Sequence, residues 1–239
     1  MKKIIALLFI LAIVKVSSAQ SFSKGDKNID IKLDYGNYSG IMTQNDSSKK
    51  TPPSQKFDVS AIVISPQIEW ATGKRISLGG GLAISSYSHF PDSIVTGAGA
   101  ATAAGLDLNF VFNFHFLRKT KLDVMAGVKA GLAGIRMSPN DGTGDIYGNT
   151  GGVFELHCTA RYCVSDRIRI IANLGLPIYD HGQFGKNLID TYSVSYSGFL
   201  IGTGISIRIG KRKEPGADGA KDKGARAPAP APKPAGDYK

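Results

Sequence analysis

Hydrophobic and polar residues alternate along the chain between residues 27 and 210, and no long apolar period of 3.6 residues occurs there. The fourth alternating segment is the clearest. Its apolar face carries Leu106, Leu108, Phe110, Phe112, Phe114 and Phe116, and its other face carries Asp107, Asn109, Val111, Asn113 and His115. A period of two predicts β-strands rather than helices.

Eight segments of about ten residues share this alternation. Their apolar faces begin at Ile29, Ile62, Ile76, Leu106, Leu122, Phe154, Ile168 and Phe199. Eight amphipathic strands are typical of an antiparallel up-and-down barrel, in which closure removes the exposed strand edges. Pro66 interrupts the second segment, and we expect a β-bulge to accommodate it.

The connections between the predicted strands alternate in length. Tight turns lie at about residues 72–74, 118–120 and 165–166, whereas the other connections span about residues 40–57, 89–99, 137–151 and 180–193. Short periplasmic turns and long outer loops are typical of transmembrane barrels. The pattern therefore predicts that both ends of the barrel chain lie in the periplasm.

The residue types on the two faces favour a membrane barrel, whose apolar face is turned outward toward lipid. In the alternative, a soluble lipocalin-like barrel, the apolar face would be turned inward. Small residues on the other face suit the narrow interior of eight strands. Aromatic residues are expected to form girdles at both membrane surfaces. The predicted girdle residues are Trp70, Phe116 and Tyr162 near the short turns, and Tyr35 and Tyr196 near the long loops.

Charged residues of the inward face are expected to line the lumen. They are the acidic residues Asp30, Asp34, Glu69, Asp107, Asp123 and Glu155 and the basic residues Lys32, Arg75, Lys129, Arg161, Arg169 and Arg208. Because buried charges are tolerated when they pair, we predict a network of ion pairs and hydrogen bonds that plugs the lumen. A narrow gated pore through this network is the alternative.

The two ends of the chain differ from the barrel region. Lys2 and Lys3, the apolar run over residues 4–14 and the small residues at 17–19 form the three parts of a cleaved signal peptide, residues 1–19. Residues 20–210 are expected to form the barrel. Residues 211–239 are basic and rich in Pro and Ala, which predicts a disordered periplasmic tail.

A net charge of +10 would suit a nucleic-acid binder, so the distribution of the charged residues along the chain matters. Lys2, Lys3 and Lys15 belong to the signal peptide, and the tail holds eight basic and four acidic residues. The barrel keeps 18 basic and 15 acidic residues. The positive excess therefore lies mainly outside the barrel, and no nucleic-acid partner is expected.

Candidate catalytic residues are few. Ser88-His89 and Asp180-His181 lie in different predicted outer loops, and they would have to meet in space to form a hydrolase site. His115 and His157 face the predicted lumen, where we expect them to complete hydrogen bonds. No His or Cys spacing fits a metal site. The sequence therefore predicts no catalytic residue, cofactor site or metal site.

The eight-strand meander behind a signal peptide resembles the small outer-membrane β-barrel proteins of the OmpA/OmpX type, with porin-like barrel domains, of Gram-negative bacteria. The run from Phe22 to Lys27 is similar to starts in that group, as is Ala160-Arg161-Tyr162 followed by Ser165-Asp166. The resemblance covers about residues 20–210. It ends on Ile209-Gly210, where many such barrels finish on an aromatic residue used in assembly.

The resemblance implies a non-enzymatic integral outer-membrane protein that acts in envelope structure or surface interaction through its outer loops. The expected partners are outer-membrane lipid and lipopolysaccharide, an extracellular ligand at the loops and the cell wall at the tail, with a monomeric barrel. A small porin is the alternative, followed by a lipid A-modifying enzyme and a soluble lipid-binding barrel.

Overall fold

The computed structural model describes residues 24–45, 54–91, 100–119, 121–138, 147–184 and 191–209. The strands in chain order are β1 (Lys27–Asn45), β2 (Ser54–Ala71), β3 (Ile76–Pro91), β4 (Ala100–Arg118), β5 (Leu122–Ser138), β6 (Tyr147–Cys163), β7 (Ile168–Phe184) and β8 (Thr191–Ile209). Within these ranges no helix is long and apolar enough to cross a membrane. The expected signal peptide and tail lie outside the described residues.

Each strand pairs antiparallel with the next, and β8 pairs with β1, so the sheet closes into a barrel. The seam between β1 and β8 runs from Lys27 opposite Ile209 to Asn45 opposite Thr191. The first strand begins, and the last strand ends, at the end of the barrel where the short turns lie. The prediction of an eight-stranded antiparallel up-and-down barrel is confirmed.

The outward-facing side chains form an apolar belt around the barrel. On β4 the belt spans the eleven residues from Leu106 to Phe116, and Leu108 and Phe116 are 60% and 52% exposed. On other strands it includes Leu33, Ile64, Leu82, Leu132, Leu156, Leu174 and Ile201. A strand that crosses a bilayer at a tilt needs about 9–11 residues. The height of the belt therefore suits a membrane.

The strands have 16 to 19 residues and continue past the belt at the end with the long connections. There the two faces exchange their polarity. The exposed residues include Ser39, Asp58, Ser88, Arg136 and Asp180, and the buried ones include Tyr38, Met42, Val59, Tyr87 and Phe90. The predicted bounds of the long connections are wrong, because the strands extend further than predicted. The reversal of polarity interrupts the alternation by which the strands were recognised.

Pro66 lies in β2 without the expected bulge. It stands opposite Ile31, and the register between β1 and β2 is continuous on both sides of it. Pairing with β3 is interrupted after Ile64 and resumes in the same register at Gln67. Because proline has no backbone N–H, part of the hydrogen-bond ladder between β2 and β3 is lost, but no extra residue is inserted into the strand.

Candidate functional site

An ion network fills the lumen near the short turns, and Arg161 of β6 lies at its centre. Its guanidinium forms ion pairs with Asp30 of β1 and Glu69 of β2, the second with Nη2 at 2.5 Å from Oε2. Asp123 of β5 lies 3.7 Å from Nη1. All four side chains are almost completely buried. A charge so far from water needs such compensation, so the network ties four strands together.

His115 of β4 joins this network through both ring nitrogens. Its Nδ1 lies 2.8 Å from Asp123 Oδ1, and its Nε2 lies 3.1 Å from the hydroxyl oxygen of Ser77. The Ser77 hydroxyl donates to the carboxylate of Glu69, which also accepts from the Asn113 amide at 2.8 Å. Ser77, His115 and Asp123 therefore follow the order of a hydrolase triad, although the hydroxyl proton points at Glu69.

This serine is not accessible to a substrate. Ser77, His115, Asp123 and Glu69 are each 0% exposed. The oxygen that would attack in a hydrolase is enclosed by its own hydrogen-bond partners. The arrangement therefore links β2, β3, β4 and β5 inside the lumen, with the Ser77 hydroxyl enclosed among its partners.

Eleven of the twelve residues predicted for the lumen lie inside it. Lys129 and Glu155 form a separate ion pair at 2.6 Å. Arg208 pairs at 3.2 Å with Asp26, which the alternation did not select. The prediction for Arg75 is wrong. Its side chain is exposed, because it precedes the first residue of β3 and the inward–outward alternation does not extend into a turn.

The other inward charges bind neutral groups. Asp34 accepts from Ser65 and Asn173, Asp107 accepts from Tyr179, Lys32 donates to Gln67, and Arg169 donates to Asn28. A cavity of about 20 Å³ lies at this level of the lumen, between Asp107, Lys129 and Glu155. Such a volume holds about one water molecule.

An aromatic plug fills the lumen toward the long connections. It comprises Tyr38, Tyr87, Phe90, Tyr179, His181 and Tyr196. The Tyr196 ring stacks on Tyr179 with centroids 4.7 Å apart and meets Tyr38 edge-on at 5.5 Å. Its hydroxyl lies 2.9 Å from that of Tyr87 and 3.2 Å from His181 Nε2. Contacts of this kind pack these side chains closely together inside the barrel.

No family model matches the chain, and no curated protein matches it. Among solved structures it is similar to the outer membrane protein OprG from Pseudomonas aeruginosa, with 8% sequence identity and a TM-score of 0.51 over 82% of this chain and 100% of that one. The fold is that of a small outer-membrane β-barrel.

Two further outer-membrane proteins give similar comparisons. AlkL in DMPC lipid bilayers has 13% identity and a TM-score of 0.49, over 83% of this chain and 97% of that chain. Neisserial surface protein A has 10% identity and a TM-score of 0.44, over 74% and 97%.

The aromatic residues predicted for the girdles of this outer-membrane β-barrel occupy two different places. Tyr35, Trp70 and Phe116 are exposed on the outer wall, and Tyr162 is half-buried there. The prediction for Tyr196 is wrong, since it is 3% exposed and lies inside the barrel. The polarity of the faces is already reversed at Tyr196, so an inward aromatic residue was mistaken for an outward one.

The candidate catalytic pairs do not assemble in the described part of the outer-membrane β-barrel. Asp180 faces outward and accepts a hydrogen bond from Ser195 at 2.7 Å, whereas His181 faces inward onto Tyr196. Ser88 donates to the backbone oxygen of Ser60 at 3.2 Å. The side chain of His89 lies outside the described residues. Sequence reasoning missed Ser77 and the plug residues Tyr38, Tyr87 and Tyr179, because a lone Ser or Tyr on a strand carries no motif.

Proposed function

We propose that the protein is a non-enzymatic integral outer-membrane protein that acts in envelope structure or surface interaction through its extracellular side. The observation that supports this function is a lumen filled at two levels. The ion network occupies it near the short turns, and the aromatic plug occupies it near the long connections. Surface for a partner then remains on the outer loops and on the polar wall above the belt.

A small porin, the alternative function, would need a continuous aqueous path through the barrel. The plug residues Tyr38 and Tyr196 are 1% and 3% exposed, and Arg161 in the ion network is 0% exposed. Eight strands leave room inside for little more than side chains. The packing in the described part of the lumen therefore favours a closed barrel.

The proposed location is the outer membrane, reached through a cleaved signal peptide. Short turns face the periplasm in bacterial outer-membrane barrels, so the ion network would lie at the periplasmic end and the aromatic plug at the extracellular end. Outer-membrane fractions should contain a protein whose migration in gels changes on heating. A single band that heating does not shift would contradict the barrel and its location together.

We infer that the partners are membrane lipid and lipopolysaccharide at the belt, a ligand at the outer loops and the cell wall at the tail, with the barrel as a monomer. The connections at residues 46–53, 92–99, 139–146 and 185–190 join the strands at the extracellular end. Replacing each in turn by a short Gly-Ser linker should abolish surface interaction for at least one of them. The same variants should keep their heat-modifiable migration, because the barrel core is untouched.

Planar-bilayer recordings of the purified full chain test the closed lumen. We expect no discrete conductance steps, because the described lumen offers ions no open path. Steps that vanish when Arg169 or Glu155 is changed would instead establish a pore through the lumen and replace this proposal by the porin.

Two experiments test the proposal that the protein is not an enzyme, one on the lipid A of the cells and one on the reactivity of Ser77. Mass spectrometry should show the same lipid A in cells with and without the protein. A fluorophosphonate probe should leave Ser77 unlabelled in the folded barrel, because this hydroxyl is buried. Stoichiometric labelling that Ser77→Ala abolishes would make the buried constellation an active site.

A further inference from the structure

Five basic residues lie together on two adjacent turns at the periplasmic end. Lys74 and Arg75 belong to the turn before β3, and Arg118, Lys119 and Lys121 flank the turn after β4. Lys74, Arg75 and Lys119 are exposed, and Arg118 and Lys121 are half-buried. In the described part of the chain, the ion pairs involve none of these five side chains. We call these five residues the basic patch.

The two turns of the basic patch are held against each other. The Arg118 guanidinium donates to the backbone oxygen of Lys74. The backbone amide of His115 donates to the backbone oxygen of Arg75 at 2.8 Å. The two turns that carry the five positive charges are therefore held together on one side of the rim, despite the mutual repulsion of these charges.

The charge asymmetry is strongest on these two turns. Elsewhere on the described periplasmic rim Lys24 and Lys27 are also exposed, but Arg167 follows Asp166 and Asp26 pairs with Arg208, so both signs occur. Above the belt at the other end, Lys56 and Arg136 share the outer wall with Asp58 and Asp180. An excess of one sign on two joined turns indicates an anionic partner at that place.

The position of the basic patch relative to the apolar belt indicates which anionic partner it contacts. Arg75 directly precedes Ile76, and Arg118 follows Phe116 by two residues, and both apolar side chains belong to the exposed belt. At a rise of about 3.3 Å per residue, the backbone of Arg75 and of Arg118 lies within about 7 Å of the lower edge of the belt. This is the depth of the headgroups, which add about 5–8 Å to each side of the hydrocarbon core.

We propose that the basic patch binds the headgroups of anionic phospholipids in the periplasmic leaflet of the membrane. Guanidinium and ammonium groups bind phosphate oxygens through charge-assisted hydrogen bonds, and basic residues beside a membrane are attracted to its negative charge. The exposed belt residues Ile76 and Phe116 would contact the acyl chains of the same lipids. The patch would thereby hold a shell of anionic lipid on one side of the barrel.

The test compares two double variants of the full chain that lose the same side-chain types. Lys74→Gln with Arg75→Gln removes two charges from the patch, and Lys56→Gln with Arg136→Gln removes a Lys and an Arg from the extracellular wall. Each protein in neutral detergent is mixed with phosphatidylglycerol and phosphatidylcholine, and retained lipid is measured by native mass spectrometry. Heat-modifiable migration establishes that each variant is folded.

We expect the wild type to retain more phosphatidylglycerol than phosphatidylcholine. In the patch variant, the ratio of the two retained lipids should fall at least threefold. The extracellular variant should keep the wild-type ratio. Added salt should weaken the preference, because salt screens exposed charges. A swap of Lys74→Arg with Arg75→Lys, which keeps both charges, should bind as the wild type does.

Three outcomes would overturn the proposal. The first is an equal loss of preference in both double variants, and the second is no preference in the wild type. The third is patch-dependent sedimentation of the protein with purified cell-wall sacculi without any preference for phosphatidylglycerol, which would make an acidic polymer the partner. Each of these results leaves the closed-lumen function untouched, because that function concerns the interior of the barrel.

Discussion

Arg161 of β6 and Asp30 of β1 form an ion pair across the lumen, although they are 131 positions apart in the chain. The same guanidinium also faces Glu69 and Asp123. One side chain therefore compensates carboxylates from three other strands.

Arg161→Met should destabilise the barrel by about 3–5 kcal/mol, because it leaves buried carboxylates without their cation. The free energy of unfolding is measured with urea in micelles, through the heat-modifiable gel band. Adding Asp30→Asn should recover part of the loss by removing one of the uncompensated charges. Arg167→Met, at an exposed turn position, is the control. Equal losses for Arg161→Met and Arg167→Met would show that the network does not stabilise the barrel.

Tyr196→Ala should destabilise the extracellular half of the barrel by about 3–5 kcal/mol, since it removes the ring that packs against Tyr38 and Tyr179. Tyr196→Phe should lose only about 1–3 kcal/mol, through the hydroxyl contacts to Tyr87 and His181. Tyr35→Ala, on the exposed outer wall, serves as the comparison and should have the smaller effect. The ranking of these unfolding free energies separates a ring in the plug from one in a girdle, and the opposite ranking would contradict the plug.

Gly131→Ala should disrupt the pairing of β4 and β5. A Cβ atom at Gly131 would overlap the backbone oxygen of Leu108 and come within 2.9 Å of the Asn109 Cα. We expect a loss of about 3 kcal/mol, the upper range for overpacking. On the same strand Gly134 has its nearest neighbour at 3.5 Å, so Gly134→Ala should stay within about 0.5 kcal/mol of the wild type. Similar unfolding curves for the two variants would disprove the close approach.

Trp70 reports the depth of the belt, because it is the only tryptophan of the sequence and is 43% exposed on the outer wall. In bilayers of brominated phosphatidylcholine, its fluorescence should be quenched more by bromines near the headgroup end of the acyl chain than by bromines near the methyl end. This follows from its place at the short-turn edge of the belt. The reverse order of quenching would move the membrane boundary away from Trp70.

Along the apolar belt, the alternation of apolar and polar residues was sufficient to predict which side chains face outward and which face the lumen. From Leu106 to Phe116 the even-numbered Leu and Phe side chains all face outward, and of the inward-facing residues only Val111 is apolar. The same rule placed Asp30, Glu69 and Arg161 inside. It could not tell which of them would pair, because that depends on the closure of β8 onto β1 and on the tilt of the strands.

The rule failed where its physical cause is absent. Above the belt the outer wall meets water, so Ser39 and Asp58 face outward and Tyr196 faces inward, the reverse of the membrane segment. At Arg75 the strand has not yet begun, so the side chain has no assigned face. The boundary between lipid and water therefore limits how far one periodic pattern can be extended.

The seam between β1 and β8 has nineteen opposed residue pairs, against seventeen between β1 and β2. Its pairing is as extensive as that of a hairpin, yet it joins the first strand of the chain to the last. Loop-closure entropy rises with the length of chain enclosed, and contacts distant in sequence form slowly. We expect the seven hairpins to form before the seam, so that folding passes through an open curved sheet with two unpaired edges. Until the seam closes, Asp30 on β1 and Arg161 on β6 lie five strands apart in that sheet, and their ion pair marks the completion of folding.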